Sequence, residues 1–227
     1  MKTRKTKTPH IQPDAVIKAA LEILDSEGLE NVTLRRLAAK LNVQAPALYW
    51  HFKDKSDITD DMAQAILKNA GLDIITPPED INNWASWLHD LMHSLRNALI
   101  AHRDGGRAVA GATFGRAHTL EKIVVSTSKV LEKAGFDRLH ASIATGTAID
   151  YVWGFVIEEQ AGMAPQAYLS TLTQPGENHA YLSSVMDEYS KTTPTKVFDW
   201  GLQAIITGLK STLKETPLPK GKKERAK

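Results

Sequence analysis

Apolar positions along this chain recur every three or four residues, the spacing that puts them on one face of a helix, and nowhere do they alternate as in a half-buried strand. The first stripe is Val16, Ala20, Ile23 and Leu24. Pro13 and Asp14 open it and Gly28 closes it, which predicts a helix over Pro13 to Glu27. The second is Leu34, Leu37, Ala38 and Leu41, behind Thr33, a good N-cap residue type. Asn42 stands where the chain must turn, and asparagine tolerates the left-handed conformation that ends a helix. Val43 plugs the corner. A very short helix is then predicted from Ala45, with Pro46 in its first turn, to Trp50 or His51, anchored by Leu48 and Phe52. Lys53 to about Ala70 reads as a fourth helix, capped by Asp54 or Ser56, with Ile58, Met62, Ala65 and Ile66 inward.

Gly71 to Asn83, with Pro77-Pro78, predicts a loop and a domain boundary. Beyond it every segment reads helical: Trp84 to Ala101, a short helix ending near Ala110, Ala117 to Ala134, a long apolar Leu139 to Gln160, His179 to Tyr189, and Pro194 to about Leu213. His102 to Gly105 and Gly111 to Gly115 are breaks, and Gly162 to Gly176 is a looser connection with Pro165 and Pro175. The expected fold class is therefore all-α. The expected organisation is a basic arm over 1–10, a helix-turn-helix domain over 11–70, a helical body over 71–214 and a basic tail over 215–227.

Charge adds an asymmetry to this division. Residues 1–56 hold ten basic and six acidic residues, a net of +4, while the whole chain carries +2 and the remainder −2. A basic small domain on a mildly acidic body suits a nucleic-acid reader. The 227 residues are 42% hydrophobic, enough for a substantial core, and contain no cysteine, which excludes disulfides and thiolate metal sites and fits a cytoplasmic protein. No apolar run reaches the length of a membrane span. Catalytic signatures such as G-x-S-x-G, H-E-x-x-H or a P-loop do not occur, and the Glu158-Glu159 and Asp187-Glu188 pairs are adjacent in sequence, so their side chains splay apart on a helix; no enzyme is expected. The histidines at 89, 93, 102 and 118 are scattered on polar faces, so neither metal nor cofactor is assigned.

The chemistry concentrates in the two short helices. With Leu48 and Phe52 inward, Gln44, Ala45, Ala47, Tyr49, Trp50 and His51 point outward beside lysines, an odd face for a merely structural helix and a suitable one for a DNA major groove. The run Leu34, Leu37, Ala38, Leu41, Val43, Leu48, Tyr49, His51, Phe52 and Lys55 resembles the helix-turn-helix of the TetR family of bacterial transcription regulators. The resemblance implies DNA contact at Thr33, Arg35, Gln44, Ala45, Pro46, Ala47, Tyr49, Trp50, His51 and Lys55. Within that set, a guanidinium such as Arg35 suits guanine O6/N7 and Gln44 suits adenine. Ala45, Pro46 and Ala47 suit thymine methyls, and Tyr49, His51 and Lys55 suit phosphates. Trp50 either stacks on the DNA backbone or covers the head's core.

In the body, the resemblance implies a homodimer in which Leu139 to Gln160 and Pro194 to Leu213 pair with a partner's copies, helped by Gly146, Gly154, Gly201 and Gly208, and a palindromic double-stranded DNA operator. The segment W-L-H-D-L-M-H-S-L-R-N-A-L-I-A-H-R-D-G-G-R from Trp87 to Arg107, and V-I-E-E-Q from Val156, resemble the family's tetracycline-responsive members. Their drug and metal positions fall on Gly71, Leu91, Leu95, Val109, Ala112 and Thr113, with Thr127 in place of a glutamine. Glycine, leucine and valine side chains offer no ligand atom to a magnesium chelate, and Glu158 alone is not a site. The implied inducer is therefore a small apolar or aromatic molecule lined by Leu91, Met92, Leu95, Val109, Phe114, Val124, Thr127 and Trp153. A DNA-binding protein with no effector, its body packed solid, remains the alternative.

Overall fold

The computed structural model describes residues 12–162 and 177–215, so the predicted basic arm, most of the Gly162 to Gly176 connection and the basic tail from 216 lie outside the described residues. Among the described residues there are ten α-helices and no strand: α1 (Pro13–Glu27), α2 (Leu34–Lys40), α3 (Ala45–Leu48), α4 (Lys55–Asn69), α5 (Trp84–Ile100), α6 (Gly105–Ala110), α7 (His118–Ala134), α8 (Arg138–Ala161), α9 (Glu177–Ser190) and α10 (Pro194–Glu215). The all-α expectation holds. Among the first four helices, two boundaries moved by two residues or more. Helix α3 stops at Leu48 because the Leu48 carbonyl is taken by the amides of both His51 and Phe52, each at 3.0 Å, which closes a turn instead of continuing the helix. Helix α4 starts at Lys55 because the Asp54 carboxylate accepts from the amides of Ser56 and Asp57 and so fixes the N-terminus there. The predicted loop also contains a single 3-10 turn, Ile81–Asn83, capped by Asp80.

The chain gathers into two compact units, the first drawn from Met1–Ile75, His93–Ile123 and Val152–Gly162, the second from Thr76–Met92, Val124–Tyr151 and Met163–Lys227. In the first, α1 packs on α4 and α2, α2 on α3, and α4 on α6. Val16, Leu24, Leu37, Leu48, Phe52, Ile58 and Met62 are all wholly buried in its core. The turn between α2 and α3 is made by Asn42 at φ 53, as asparagine allows.

Polar anchors fix the rest of this unit. Asp60 of α4 is buried, and it accepts from the amide of Thr113 at 2.9 Å and from the Thr113 hydroxyl. Arg116 reaches Asp61 at 2.7 Å and Asp57 at 3.3 Å and lies over the Phe52 ring. Its hydrogen bond to Asp61 outweighs burial and holds its pKa above the ordinary arginine value. Gln64 exchanges two hydrogen bonds with Thr119. At the α5–α6 corner Asp104 adopts φ 55 and accepts from the amide of Leu29 at 2.9 Å, while Asp25 meets His102 and the amide of Arg103. Glycine is required at 105, since a Cβ there would meet the Leu99 carbonyl oxygen. The side chain of Gln160 ties the corner to α8 by accepting from the amide of Gly106 and donating to the carbonyls of Leu99 and His102.

In the second unit Trp84 meets Phe136 edge to face, and Tyr151 stacks on Phe198 while donating to its carbonyl at 2.9 Å. His89 places Nε2 2.6 Å from Asp199 and Nδ1 3.3 Å from Asp90. Burial opposes protonation of His89, but the bonds to Asp199 and Asp90 prevail and raise its pKa above 6.5. A raised folded-state pKa means that this stabilisation is fully present below the unfolded value and is lost as pH rises through the folded one. Thermal unfolding followed upward from about pH 6 is expected to show that loss, and His89→Gln to flatten it.

Candidate nucleic-acid interface

The side chains predicted to read DNA divide into those the chain already uses and those it leaves outward. Thr33 accepts from the amide of Arg36 at 3.2 Å and so caps α2 as expected. The two arginines that follow Leu34 have different fates. Arg36 donates to both oxygens of Glu27, the shortest bond being 2.6 Å; that bonding lowers the Glu27 pKa and raises that of Arg36. Arg35 is exposed and, among the described residues, makes no such bond. Lys40 is likewise tied, to Glu22 at 2.9 Å. Of the cations on α2, then, Arg35 is the one left outward.

On α3, Gln44 and Pro46 are exposed and Ala45 and Ala47 half-buried, while Leu48 anchors the helix. Tyr49 is 55% exposed and Trp50 88% exposed, so Trp50 covers none of the head's core. His51 is half-buried, its ring 6.4 Å from that of Phe52. Lys55 is exposed and donates to the Leu29 carbonyl at 3.3 Å. At the α4 N-terminus Asp54 holds the amides of Ser56 and Asp57, and Asp57 holds that of Lys53, so these amides are not left open to a phosphate. Tyr49, Lys53 and Lys55 are exposed here. An outward guanidinium, a carboxamide, small apolar groups and two aromatic rings on a capped two-helix turn can enter a major groove and grip its edges.

The residues assigned to an inducer are placed as follows. In the first unit Leu95 and Val109 are buried, Trp153 is half-buried, and Phe114 is 51% exposed. The Trp153 indole nitrogen is buried without a hydrogen-bond partner among the described residues. In the second unit Leu91, Met92 and Thr127 are buried and Val124 half-buried. Sequence reasoning missed the Asp57–Asp60–Asp61–Arg116 cluster. Its signal was Asp60, a carboxylate three and seven residues ahead of Ala63 and Leu67 on the buried face of α4.

Two family models match this arrangement. Residues 16–62 match the bacterial regulatory proteins of the tetR family, and residues 76–213 match the tetracyclin repressor-like C-terminal domain. The chain belongs to the TetR family. The class C tetracycline repressor of Escherichia coli is 38% identical over 88% of this chain and 90% of its own. A TetR variant of Acinetobacter baumannii, solved in complex with minocycline, is 32% identical over 91% of this chain and 97% of its own, with a TM-score of 0.72. BioQ, solved with its double-stranded DNA operator, is 27% identical over 89% of this chain and 99% of its own, with a TM-score of 0.65. The chain is thus a TetR-family transcription regulator with an N-terminal helix-turn-helix DNA-binding domain, and the family's members are regulators rather than enzymes. Among the described residues no helix is long and apolar enough to cross a membrane.

Proposed function

We propose that this TetR-family regulator is a cytoplasmic homodimeric repressor that grips a palindromic operator through residues 11–70 and is released when residues 71–214 bind a small, largely apolar or aromatic inducer. The observation that carries the reading is the outward surface of α2 and α3, where Arg35, Gln44, Tyr49 and Trp50 are exposed and Arg36 and Lys40, also exposed, are paired with Glu27 and Glu22. For dimerisation the support lies on single helices. Helix α8 exposes Leu139 and Ile143, at 65% and 55%, and leaves open space above Gly146 and Gly154; α10 exposes Trp200, at 77%, and leaves open space above Gly208. Gly201 has a different use, since a Cβ there would collide with the Tyr151 ring. A two-fold dimer would set its recognition helices about 34–36 Å apart, one turn of DNA.

For the inducer, the support is the apolar character of Leu91, Met92 and Leu95 along α5 and of Val109 on α6. Gly71, Leu91, Leu95 and Val109 give a tetracycline–magnesium chelate no ligand atoms, so the inducer differs from the drug bound by the Acinetobacter relative. Release from mostly bound to mostly free requires about 5 kcal/mol of difference in inducer affinity between the two states. A regulator with no effector is the second reading, favoured by the full burial of Met92, Leu95 and Val109, which is how a packed core also looks.

The test is selection of duplexes from a random pool by the purified protein, with sedimentation of the free protein and of the complex. A palindromic consensus held by two chains is expected; an asymmetric consensus held by one chain would overturn the dimer reading. On the selected duplex, Arg35→Ala is expected to weaken binding by about 10- to 100-fold and relax preference at one base pair of each half-site, whereas Arg36→Ala has much the smaller effect. Equal losses from the two variants, measured by fluorescence anisotropy, would remove Arg35 from the reading surface.

A further inference from the structure

A cavity of about 460 Å³ lies in the first unit between the last turn of α4 and the second half of α5. None of its lining residues belongs to the set assigned to the inducer, so it is a separate place on the molecule. Its volume falls in the range of small-molecule sites. Ile66 and Ala98, at 1% and 5% exposure, form an apolar floor, and Ala101 keeps one wall low. Asn69 on α4 and Asn97 on α5 are lining residues, both exposed, and among the described residues neither carboxamide has a hydrogen-bond partner within the chain. His102 at the rim is engaged by Asp25.

Two features of this lining select a ligand class. No aspartate, glutamate, lysine or arginine lines the cavity, so a charged ligand would find no counter-charge in the lining. Each carboxamide presents both a donor and an acceptor, above a floor suited to the face of a ring. Asparagine is also a poorer helix former than alanine, because its amide competes for the backbone, and Asn97 sits within α5 rather than at a cap. We propose that this α4–α5 cavity binds a neutral aromatic or heteroaromatic amide, its ring on Ile66 and Ala98 and its amide paired with Asn69 and Asn97. The site goes beyond the inducer reading and does not depend on it.

The experiment uses the full-length protein labelled with ¹⁵N-asparagine, the Asn69 and Asn97 side-chain signals being assigned by their disappearance in Asn69→Ala and Asn97→Ala. Nicotinamide is titrated to about 10 mM, a range suited to the millimolar affinity of so small a probe. Both signals are expected to shift saturably. Nicotinate, which replaces the amide by a carboxylate on the same ring, is expected to bind at least about tenfold more weakly. Ala101→Leu, at an exposed turn position just past α5, is expected to fill the cavity and abolish the shifts while leaving the unfolding temperature and the other asparagine signals in place. Should that variant fail to fold, Asn97→Ala read at the Asn69 signal serves instead, with about fivefold weaker binding expected. Absence of a saturable shift, an equal response to nicotinate, or a response unchanged in the filled or amide-free variant would overturn the proposal.

Discussion

Phe52→Ala is expected to lower the unfolding free energy of the DNA-binding head by about 3–5 kcal/mol, the range for deleting a buried aromatic ring from a packed core. The ring is wholly buried, and the Arg116 guanidinium lies 5.6 Å from its centroid. Removing it leaves a cavity behind the recognition helix and takes the support from beneath Arg116, whose bonds to Asp57 and Asp61 hold the residues after α6 against α4. Phe52→Leu should recover a large part of the loss, because it restores apolar volume. Urea unfolding of the two variants checks this. A loss below about 1 kcal/mol for the alanine variant would mean that the site collapses around the gap, or that the ring is not the anchor described.

The second large effect is expected at Glu159. Its carboxylate takes three hydrogen bonds from Arg96, the shortest at 2.7 Å, and Arg96 is only 2% exposed. Glu159→Ala removes three hydrogen bonds from a buried guanidinium, and breaking one side of a buried pair costs about 3–5 kcal/mol, well above what removal of the partly open carboxylate would cost alone. Arg96 also lies 5.7 Å from the Phe155 ring centroid, a contact that survives the substitution and softens the loss. The paired replacement Arg96→Met with Glu159→Leu is expected to be markedly less harmful than Glu159→Ala, since no charge is then left unmatched. Equal destabilisation in the single and double variants would show that packing, not charge burial, sets the cost.

These two expectations differ in how they could have been found. Phe52 was legible as an anchor because it follows Leu48 by one helical turn, and local spacing alone placed it inward. The Arg96–Glu159 pair was not legible, because the partners are 63 residues apart and nothing in either local pattern announces the other. The same holds for Asp61 and Arg116, 55 residues apart. The position of Asp60 on the buried face of α4 was a signal in the sequence, but its partner Thr113, 53 residues on, was not. The exposure of Phe114 could not be inferred from the sequence either, since an aromatic residue in a turn between helices can face either way.

The adjacent arginines show where local information ends. Sequence pattern sufficed for the helices, for the left-handed turn at Asn42, for the Thr33 cap and for the helix-turn-helix itself, because each follows from residues within about four positions of one another. It could nominate Arg35 but could not release it. That took Glu27, held at the end of α1 nine residues earlier, to occupy Arg36, as Glu22 occupies Lys40. The 88% exposure of Trp50, the side-chain-capped α4 N-terminus and the cavity beside Asn69 and Asn97 have the same origin. A side chain's freedom to act is what remains after the packed neighbours have taken their share of its donors, acceptors and surface, and those neighbours are assembled by burial across the whole fold rather than by order along the chain.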